Sequence, residues 1–181
     1  MLKATALSAR FTLALLMAVL VSAPACAESG GEAAVKTAFL FNFFKFIEWP
    51  ETTSLRTFNL CTTENDHLGD SLVVLDNKTL FNKPMVVRRG VVGEELKKCH
   101  MVFISTSDHT GYFEEIINKL KGFPIVTVSD QPGFINHGGM IGFVQDDNRL
   151  SFEINLDTAK ANAVHISAKL LKLAKNVNLA K

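Results

Sequence analysis

Gly138 to Asn155 form the sequence GGMIGFVQDDNRLSFEIN, and its alternation of apolar and polar residues predicts a β-hairpin. A three-residue loop over 146–148 would pair Gln145 with Arg149 and Gly142 with Phe152. One face of the hairpin would then carry only apolar residues and glycine: Met140, Gly142, Val144, Leu150, Phe152 and Ile154. Because a shift of one residue would mix the two faces, we expect this register and assign this face to the core.

The opposite face of the predicted hairpin combines two bulky apolar residues with two charges. Ile141 and Phe143 would share it with Arg149 and Glu153. Apolar anchors beside charges that fix the register are typical of protein–protein contacts. We therefore predict Ile141, Phe143, Arg149 and Glu153 as partner-binding residues. The alternative is that helices cover this face and that Arg149 merely pairs with Glu153.

Residues 1–27 have the organisation of a secretory signal peptide. Two basic residues are their only charges, an apolar run follows over 11–21, and Ala25-Cys26-Ala27 is a small-x-small cleavage site. The apolar run is too short to span a membrane permanently. We predict an exported protein cleaved after Ala27, with one domain over 28–181. The alternative is a lipoprotein that is cleaved before Cys26 and carries lipid on its sulfur.

The charges of the chain are balanced. The sequence has 19 basic and 18 acidic residues, and loss of the two basic residues of the signal peptide leaves a net charge of −1. This balance gives no electrostatic reason to expect nucleic acid or anionic lipid as a partner. The remaining length is sufficient for one domain with a sizeable core.

Two cysteines, Cys61 and Cys99, remain after export to a compartment that oxidises thiols, which favours one disulfide over two free thiols. Geometry argues the other way. Cys61 comes late in a predicted strand and Cys99 just before another, and a disulfide requires Cα atoms about 6 Å apart. In a simple parallel register the two residues would lie farther apart, so the bond requires either a stagger between the strands or a first strand that extends past Cys61.

Predicted helices and strands alternate along the rest of the chain. The segment Glu32–Trp49, closed by Pro50, is predicted as a helix that is apolar on most sides, either buried between layers or at a subunit contact. Strands are predicted over 57–62, 84–89, 101–105 and 124–129, and helices over 67–75, 109–121 and 168–175, capped by Asp66, Asp108 and Ser167. We predict an α/β fold: a single domain with a mixed, mostly parallel sheet, helices on both faces and the antiparallel hairpin (140–154) at one edge.

The sequence contains no catalytic or metal-binding pattern. Its five histidines have no ligand spacing, and neither a nucleophile elbow, a dinucleotide fingerprint nor a phosphate-binding loop occurs. We therefore predict no enzymatic activity, no metal and no cofactor.

Hydroxyl residues follow several predicted strands. The loops beyond the carboxyl ends of parallel strands form the ligand crevice of open α/β sheets. We therefore predict a crevice for a small anionic or polar ligand, lined by Thr62, Ser105, Ser107, Ser129 and Asp130. The alternative is that these residues are ordinary caps and turns.

Several segments resemble the YfiR family of periplasmic regulatory proteins. They are residues 36–50 (KTAFLFNFFKFIEWP), the strand that ends at Cys61, and residues 98–105 (KCHMVFIS), 126–130 (VTVSD), 138–141 (GGMI), 148–156 (NRLSFEINL) and 166–174 (ISAKLLKLA). The resemblance covers essentially the whole exported chain in one collinear order, which makes it more specific than any single motif.

This resemblance implies a small α/β domain that dimerises and has no enzymatic activity of its own. It implies a repressor of a membrane-bound diguanylate cyclase, bound to the periplasmic sensor region of that enzyme, and an outer-membrane lipoprotein that sequesters the repressor. Control of cyclic di-GMP, biofilm and motility would follow. The resemblance also implies a Cys61–Cys99 disulfide. Relatives with a second disulfide place it near the hairpin, where this chain has no cysteine, which would leave residues 134–142 looser.

A second interpretation of the chain is a periplasmic small-molecule sensor that uses the strand-end crevice and serves another membrane signalling protein. The two interpretations are compatible, because a ligand would shift the affinity of a repressor for its partner.

Overall fold

The computed structural model describes residues 28–50, 56–109, 111–146 and 149–178. The predicted signal peptide, its cleavage after Ala27 and the lipoprotein alternative at Cys26 fall outside these residues and stay predictions. None of the described helices is long and apolar enough to cross a membrane.

Helices and strands alternate through the described residues. The helices are α1 (Glu28–Phe46), α2 (Tyr112–Leu120), α3 (Leu156–Ala161) and α4 (Ala168–Leu173). The strands are β1 (Ile47–Glu48), β2 (Phe58–Thr62), β3 (Thr79–Leu80), β4 (Lys83–Arg88), β5 (Met101–Ile104), β6 (Val126–Ser129), β7 (Ile141–Asp146), β8 (Arg149–Asn155), β9 (His165–Ile166) and β10 (Asn176–Asn178). Short 3₁₀-helices span Gly69–Leu75, Gly93–Lys98 and Phe134–His137.

The main sheet has eight strands in the order β10-β8-β7-β6-β5-β2-β4-β3. The neighbours from β4 through β2, β5 and β6 to β7 are parallel, whereas β8 is antiparallel to β7 and β3 is antiparallel to β4. The predicted mixed, mostly parallel sheet is therefore confirmed. The hairpin β7–β8 is not outermost, however, because β10 pairs in parallel with β8 beyond it.

Helices cover both faces of this sheet, as predicted, and alternate strand residues enter two separate cores. On one face, α1, α4 and the first 3₁₀-helix cover the larger core, which is rich in phenylalanine. On the other face, α2 and the second and third 3₁₀-helices cover a smaller core that includes Leu96, Ile116 and Phe134. The first helix packs its phenylalanine side on the sheet but is not enclosed between layers, because its other side is exposed, as at Val35. It ends at Phe46, and Ile47–Glu48 form β1.

The hairpin forms, but the predicted register is wrong by one residue. β7 and β8 pair Ile141 with Ile154 and Phe143 with Phe152, which leaves two residues, not three, between the paired positions Asp146 and Arg149. The cause is that β7 lies between two cores and is apolar on both faces, so alternation alone did not select the register. The observed pairing sets an aromatic ring opposite another and a β-branched residue opposite another.

This register overturns the prediction of an accessible mixed face. Ile141 and Phe143 are core residues, 0% and 4% exposed, and the Phe143 ring lies 5.9 Å from that of Phe43 on α1. As buried side chains they are not available to a partner. Arg149 is exposed and Glu153 is half-buried on the opposite face of β8. Their role in binding a partner stays a prediction.

Some predicted caps are observed and one is wrong. Asp66 accepts hydrogen bonds from the backbone N–H groups of Leu68 and Gly69, at the start of the first 3₁₀-helix. Ser167 accepts one from the N–H of Leu170, as the cap of α4. Asp108, in contrast, does not cap α2, which begins at Tyr112. Its carboxylate instead accepts hydrogen bonds from the loop after β2.

Cys61 and Cys99 form a disulfide with their Cα atoms 6.0 Å apart. Cys61 pairs with Val102 in the sheet, so Cys99 is not its neighbour along the strand. Cys99 instead follows the 3₁₀-helix Gly93–Lys98, and both cysteines belong with Leu96 to the smaller core. The chain thus approaches Cys61 from the face of the sheet, which is why the simple register does not exclude the bond.

Candidate functional site

The carboxyl ends of β2, β5 and β6 meet at one edge of the sheet, where open α/β sheets bind ligands. Four side chains converge there: Lys36 from α1, His67 from the loop after β2, Ser105 directly after β5 and Asp130 directly after β6. We call Lys36, His67, Ser105 and Asp130 the strand-end cluster. The segments that carry them are far apart in sequence, so the sheet order brings them together.

Asp130 is the centre of the strand-end cluster. Its Oδ2 lies 2.6 Å from Nζ of Lys36 and 2.7 Å from Nε2 of His67. Nδ1 of the same imidazole lies 2.8 Å from Oγ of Ser105. The backbone N–H of Thr106 donates to Oδ1 of Asp130 at 2.9 Å, so both carboxylate oxygens are bonded. The cluster therefore ties α1 to three strand ends.

The two charged members of the cluster stabilise each other's ionised form. The side chains of Lys36 and Asp130 are 5% and 8% exposed. Burial alone would raise the pKa of Asp130, but hydrogen bonds from His67 and Lys36 and the Lys36 charge outweigh burial and lower this pKa to about 2. Burial alone would lower the pKa of Lys36, but Asp130 and Glu32 outweigh it and raise that pKa. Both groups are thus charged at neutral pH.

Ser105, His67 and Asp130 have the connectivity of a hydrolase triad, but not its access. Ser105 is 1% exposed, and its Oγ accepts a hydrogen bond from the backbone N–H of Ser107 at 3.0 Å. A nucleophile must reach the substrate and be activated by its base. The carboxylate of Asp130 is also bound to Lys36, so this arrangement is suited to anchoring α1 and not to nucleophilic attack.

The five predicted crevice residues lie at this edge, but most of their polar groups bond within the protein. Ser129 Oγ donates to the Ile104 carbonyl at 2.7 Å. Thr62 Oγ1 donates to Asp66 Oδ2 at 2.9 Å, and Ser107 is exposed. Internal hydrogen bonds thus occupy the hydroxyl groups of Thr62 and Ser129. Their contact with a ligand stays a prediction.

A second polar network holds the loop after β2. Asp108 accepts hydrogen bonds from Oγ1 of Thr63 and from the backbone and side chain of Asn65. Asp66, buried in its side chain, pairs with the guanidinium of Arg89 at 2.9 Å. These bonds fix the loop that carries His67.

A cavity of about 610 Å³ opens beside the cluster; we call it the strand-end cavity. The last pair between β6 and β7 is Ser129 with Gly142, whereas β7 continues to Asp146, so the cavity lies where β7 extends beyond its neighbour. Charged and apolar side chains both line the cavity. They include Glu32, Lys36, Asp130, Glu153, Phe143, Val144 and Leu150. Asp130 is thus the predicted crevice residue that lines it.

Sequence reasoning did not assign Lys36 or His67 to the site. The helical spacing could have indicated Lys36. It follows Ala33 by three residues and precedes Leu40 by four, which puts a charged side chain on the buried face of α1. His67 carried no such signal. For metal binding, no group of three or more His, Cys, Asp or Glu side chains suited to an ion occurs among the described residues.

Comparison with known proteins gives one family and a distant structural likeness. The profile of the family described as YfiR/HmsC-like matches residues 33–175. Among solved structures, a conserved domain protein from Vibrio cholerae O1 biovar El Tor strain N16961 is 9% identical, with a TM-score of 0.48 over 81% of this chain. The chain covers 60% of the length of that solved chain.

Proposed function

This chain belongs to the YfiR/HmsC-like family, and from this membership we propose that it binds the periplasmic sensor region of an inner-membrane diguanylate cyclase and represses it. The family is one of periplasmic, non-catalytic regulators in cyclic di-GMP signalling. The observation that carries the proposal is the family match over residues 33–175. Repression would lower cyclic di-GMP and, with it, biofilm formation.

The end of the hairpin β7–β8 is the surface that we assign to the cyclase. It extends past the end of β6. Helix α1 holds it in place, because Phe143 and Phe152 pack on Phe39 and Phe43 of that helix. A surface fixed in this way loses little entropy on binding. Arg149 is exposed there, and in an extended strand its side chain shares a face with Glu153.

The four residues predicted as contacts therefore divide into two roles. Arg149 and Glu153 are proposed to contact the partner through charge, and Ile141 and Phe143 to hold the hairpin in place from the core. Rim charges set the association rate and the specificity of a complex more than its total affinity.

Two further contacts belong to the same proposal. The chain forms a homodimer, for which the exposed Val73 and Val74 of the first 3₁₀-helix, 65% and 66% exposed, are candidate contacts. An outer-membrane lipoprotein competes with the cyclase and releases it by sequestering the repressor.

Capture of the cyclase from detergent-solubilised membranes tests the proposal. Immobilised wild-type protein is expected to retain a diguanylate cyclase, and Arg149→Glu to retain it about five- to tenfold less strongly, since reversal of a rim charge turns an attraction into a repulsion. Lys169→Glu is the matched control, because Lys169 is an exposed lysine on α4. Failure of the wild-type protein to retain any cyclase would contradict the proposal.

The second candidate function, a periplasmic small-molecule sensor, is favoured by one observation, the strand-end cavity beside the strand ends. A ligand that binds only the folded protein must raise its melting temperature. A thermal-shift screen with nucleotides, amino acids and cell-wall fragments tests this function. A screen without any shift would leave regulation by protein contacts alone.

A further inference from the structure

We propose that a cavity between α2 and α3 binds a short aliphatic carboxylate, that is, a carboxylate group on a flexible alkyl chain. The cavity has a volume of about 440 Å³, within the range of roughly 300–1,000 Å³ typical of small-molecule sites; we call it the interhelix cavity. It has no described lining residue in common with the strand-end cavity. The inference concerns the purified chain alone and does not depend on the identity of a membrane partner.

The residues that line the interhelix cavity have the spacing of surfaces that face one common space. They include Ile117, Leu120 and Lys121 at the end of α2, Ile125 and Thr127 at β6, and Thr158, Ala161 and Asn162 at α3. In each helical segment the second and third residues follow the first by three and four positions, so all three share one side. Val126 and Val128 face the larger core. Ile125 and Thr127 alternate with them and therefore face the side of the sheet on which α2 packs.

A buried amide ties the ends of the two helices together. Oδ1 of Asn162 accepts a hydrogen bond from the backbone N–H of Gly122 at 2.6 Å, and Nδ2 of Asn162 donates to the carbonyl of Thr158 at 2.7 Å. Asn162 is itself buried. These bonds fix the end of α3 relative to the end of α2, so the cavity exists before a ligand arrives. A preformed site loses little conformational entropy when it binds.

The apolar part of the lining is aliphatic. Leu120 and Ile125 are buried, Ile117 is half-buried and Ala161 is exposed, so apolar surface continues from the inside of the cavity to its mouth. Among the described residues that line it, none is phenylalanine, tyrosine or tryptophan. A flexible alkyl chain follows such a surface more closely than a flat ring does. Each methylene group that it buries should strengthen binding about fourfold.

Thr127 contributes a buried hydroxyl group to the lining. The residue is 4% exposed, and its Oγ1 accepts a hydrogen bond from the backbone N–H of Met140 at 3.1 Å. Within the part of the chain that the structure describes, the hydroxyl hydrogen of Thr127 has no acceptor. Buried polar groups are nearly always hydrogen-bonded. This hydrogen therefore suits an acceptor oxygen that enters the cavity.

Lys121 contributes a positive charge. It is exposed, and its ammonium group forms no ion pair with any described residue. The described lining residues include neither aspartate nor glutamate; Glu114 lies outside the lining, 3.9 Å from Nδ1 of His137. A carboxylate has two acceptor oxygens, one for the hydroxyl of Thr127 and one for the ammonium group. An amine would instead meet a like charge, so the cavity favours the acid.

Isothermal titration of the purified chain with hexanoate tests the inference, with hexylamine and acetate as probes. Hexanoate is expected to bind at least about tenfold more tightly than hexylamine, which repels Lys121, and more tightly than acetate, which lacks the alkyl chain. Equal binding of hexylamine would overturn the charge assignment, and equal binding of acetate would overturn the apolar one. Absence of binding by butanoate, hexanoate and octanoate alike at millimolar concentration would overturn the whole proposal.

Two variants locate the binding site. Ala161→Leu puts a larger side chain at the mouth of the cavity and keeps a good helix former on α3, so we expect hexanoate binding to weaken at least about tenfold. Ala168→Leu is the matched control, because Ala168 is exposed on α4. Unchanged affinity in Ala161→Leu, with an unchanged melting temperature of the free protein, would place hexanoate elsewhere and overturn the proposal.

The second variant, Lys121→Gln, removes the charge alone. We expect it to weaken hexanoate binding about threefold, the effect of one partly screened ion pair. Lys172→Gln is its control, because Lys172 is an exposed lysine on α4. Equal affinity of wild type and Lys121→Gln for hexanoate would contradict the role of Lys121.

Discussion

Helix α1 meets the rest of the domain in two regions of opposite chemistry. At Phe39 and Phe43 its rings contact Phe143 and Phe152 of the hairpin, with centroids 5.0 Å apart in the closest pair. One turn earlier, Lys36 meets Asp130 in an ion pair of 2.6 Å. We call these the aromatic contact and the ionic contact of α1.

The two contacts differ in what they give the fold. The aromatic contact removes apolar area from water, and its strength does not depend on pH. The ionic contact must first offset the dehydration of two charges, so its net stabilisation is small, although loss of one partner is costly. The aromatic contact therefore supplies stability, whereas the ionic contact fixes the position of α1 and makes stability depend on pH.

The largest expected effect is on the aromatic contact. Phe43→Ala removes a fully buried ring that faces both strands of the hairpin, so we expect the free energy of unfolding to fall by about 4 kcal/mol. Chemical denaturation measures this change. Val35→Ala is the control on the same helix, because Val35 is exposed. A loss of less than 1 kcal/mol in Phe43→Ala would show that the hairpin does not depend on α1.

Asp130→Asn breaks the ionic contact and should lower the free energy of unfolding slightly less than Phe43→Ala does. It leaves the buried ammonium of Lys36 with Glu32 as its one carboxylate partner, and we expect a loss of about 3 kcal/mol in the free energy of unfolding. The double variant Lys36→Met/Asp130→Asn should recover part of that loss, because no unpaired charge remains. If the stability losses of Lys36→Met and Asp130→Asn simply added in the double variant, the two residues would not interact, which would contradict the account.

The pH dependence separates the two contacts directly. The pKa of Asp130 is lowered from 3.8 in the unfolded chain to about 2 in the folded protein. Its contribution is therefore fully present above pH 4 and is lost as the pH falls toward 2, a change of about 2 kcal/mol. Denaturation at pH 5 and pH 2 should show this loss in wild type and in Phe43→Ala, but not in Asp130→Asn. Parallel pH profiles in all three proteins would contradict the account.

Arg149→Glu should have the smallest effect on stability, because Arg149 is exposed and lies outside both contacts. We expect a change within about 0.5 kcal/mol in the free energy of unfolding. Thermal denaturation beside wild type measures it. A larger loss would mean that the end of the hairpin is part of the core, which would remove it as a candidate surface for a partner.

Much of the fold could be predicted because local patterns agree with the tertiary structure. The strands that became β2, β4, β5 and β6 are short apolar runs between polar turns, and the buried leucines after Asp66 follow their cap. The hairpin register could not be predicted in the same way. Ile141 and Phe143 face the larger core while Gly142 lies against Ile135 and Phe134 on the other side of the sheet, so both faces of β7 are apolar or glycine in sequence.

The site was less predictable than the fold. Lys36 and Asp130 are 94 residues apart, and only the order of the strands brings them together. The hydroxyl residues after the strands were correctly placed at the carboxyl edge, but their hydrogen bonds are decided by neighbours such as Asp66 and Ile104. The cavity itself depends on how far β7 extends past β6, and no local pattern in the sequence sets that length.

The central proposal is tested most directly in proteoliposomes that contain the full-length partner cyclase with its periplasmic region facing outward. The measured quantity is the rate of cyclic di-GMP synthesis. Added wild-type protein is expected to lower the rate at saturation. Lys169→Glu should act like wild type, and Arg149→Glu should require about five- to tenfold more protein for the same effect. A rate that stays unchanged at saturating wild-type protein would contradict repression of the cyclase by this chain.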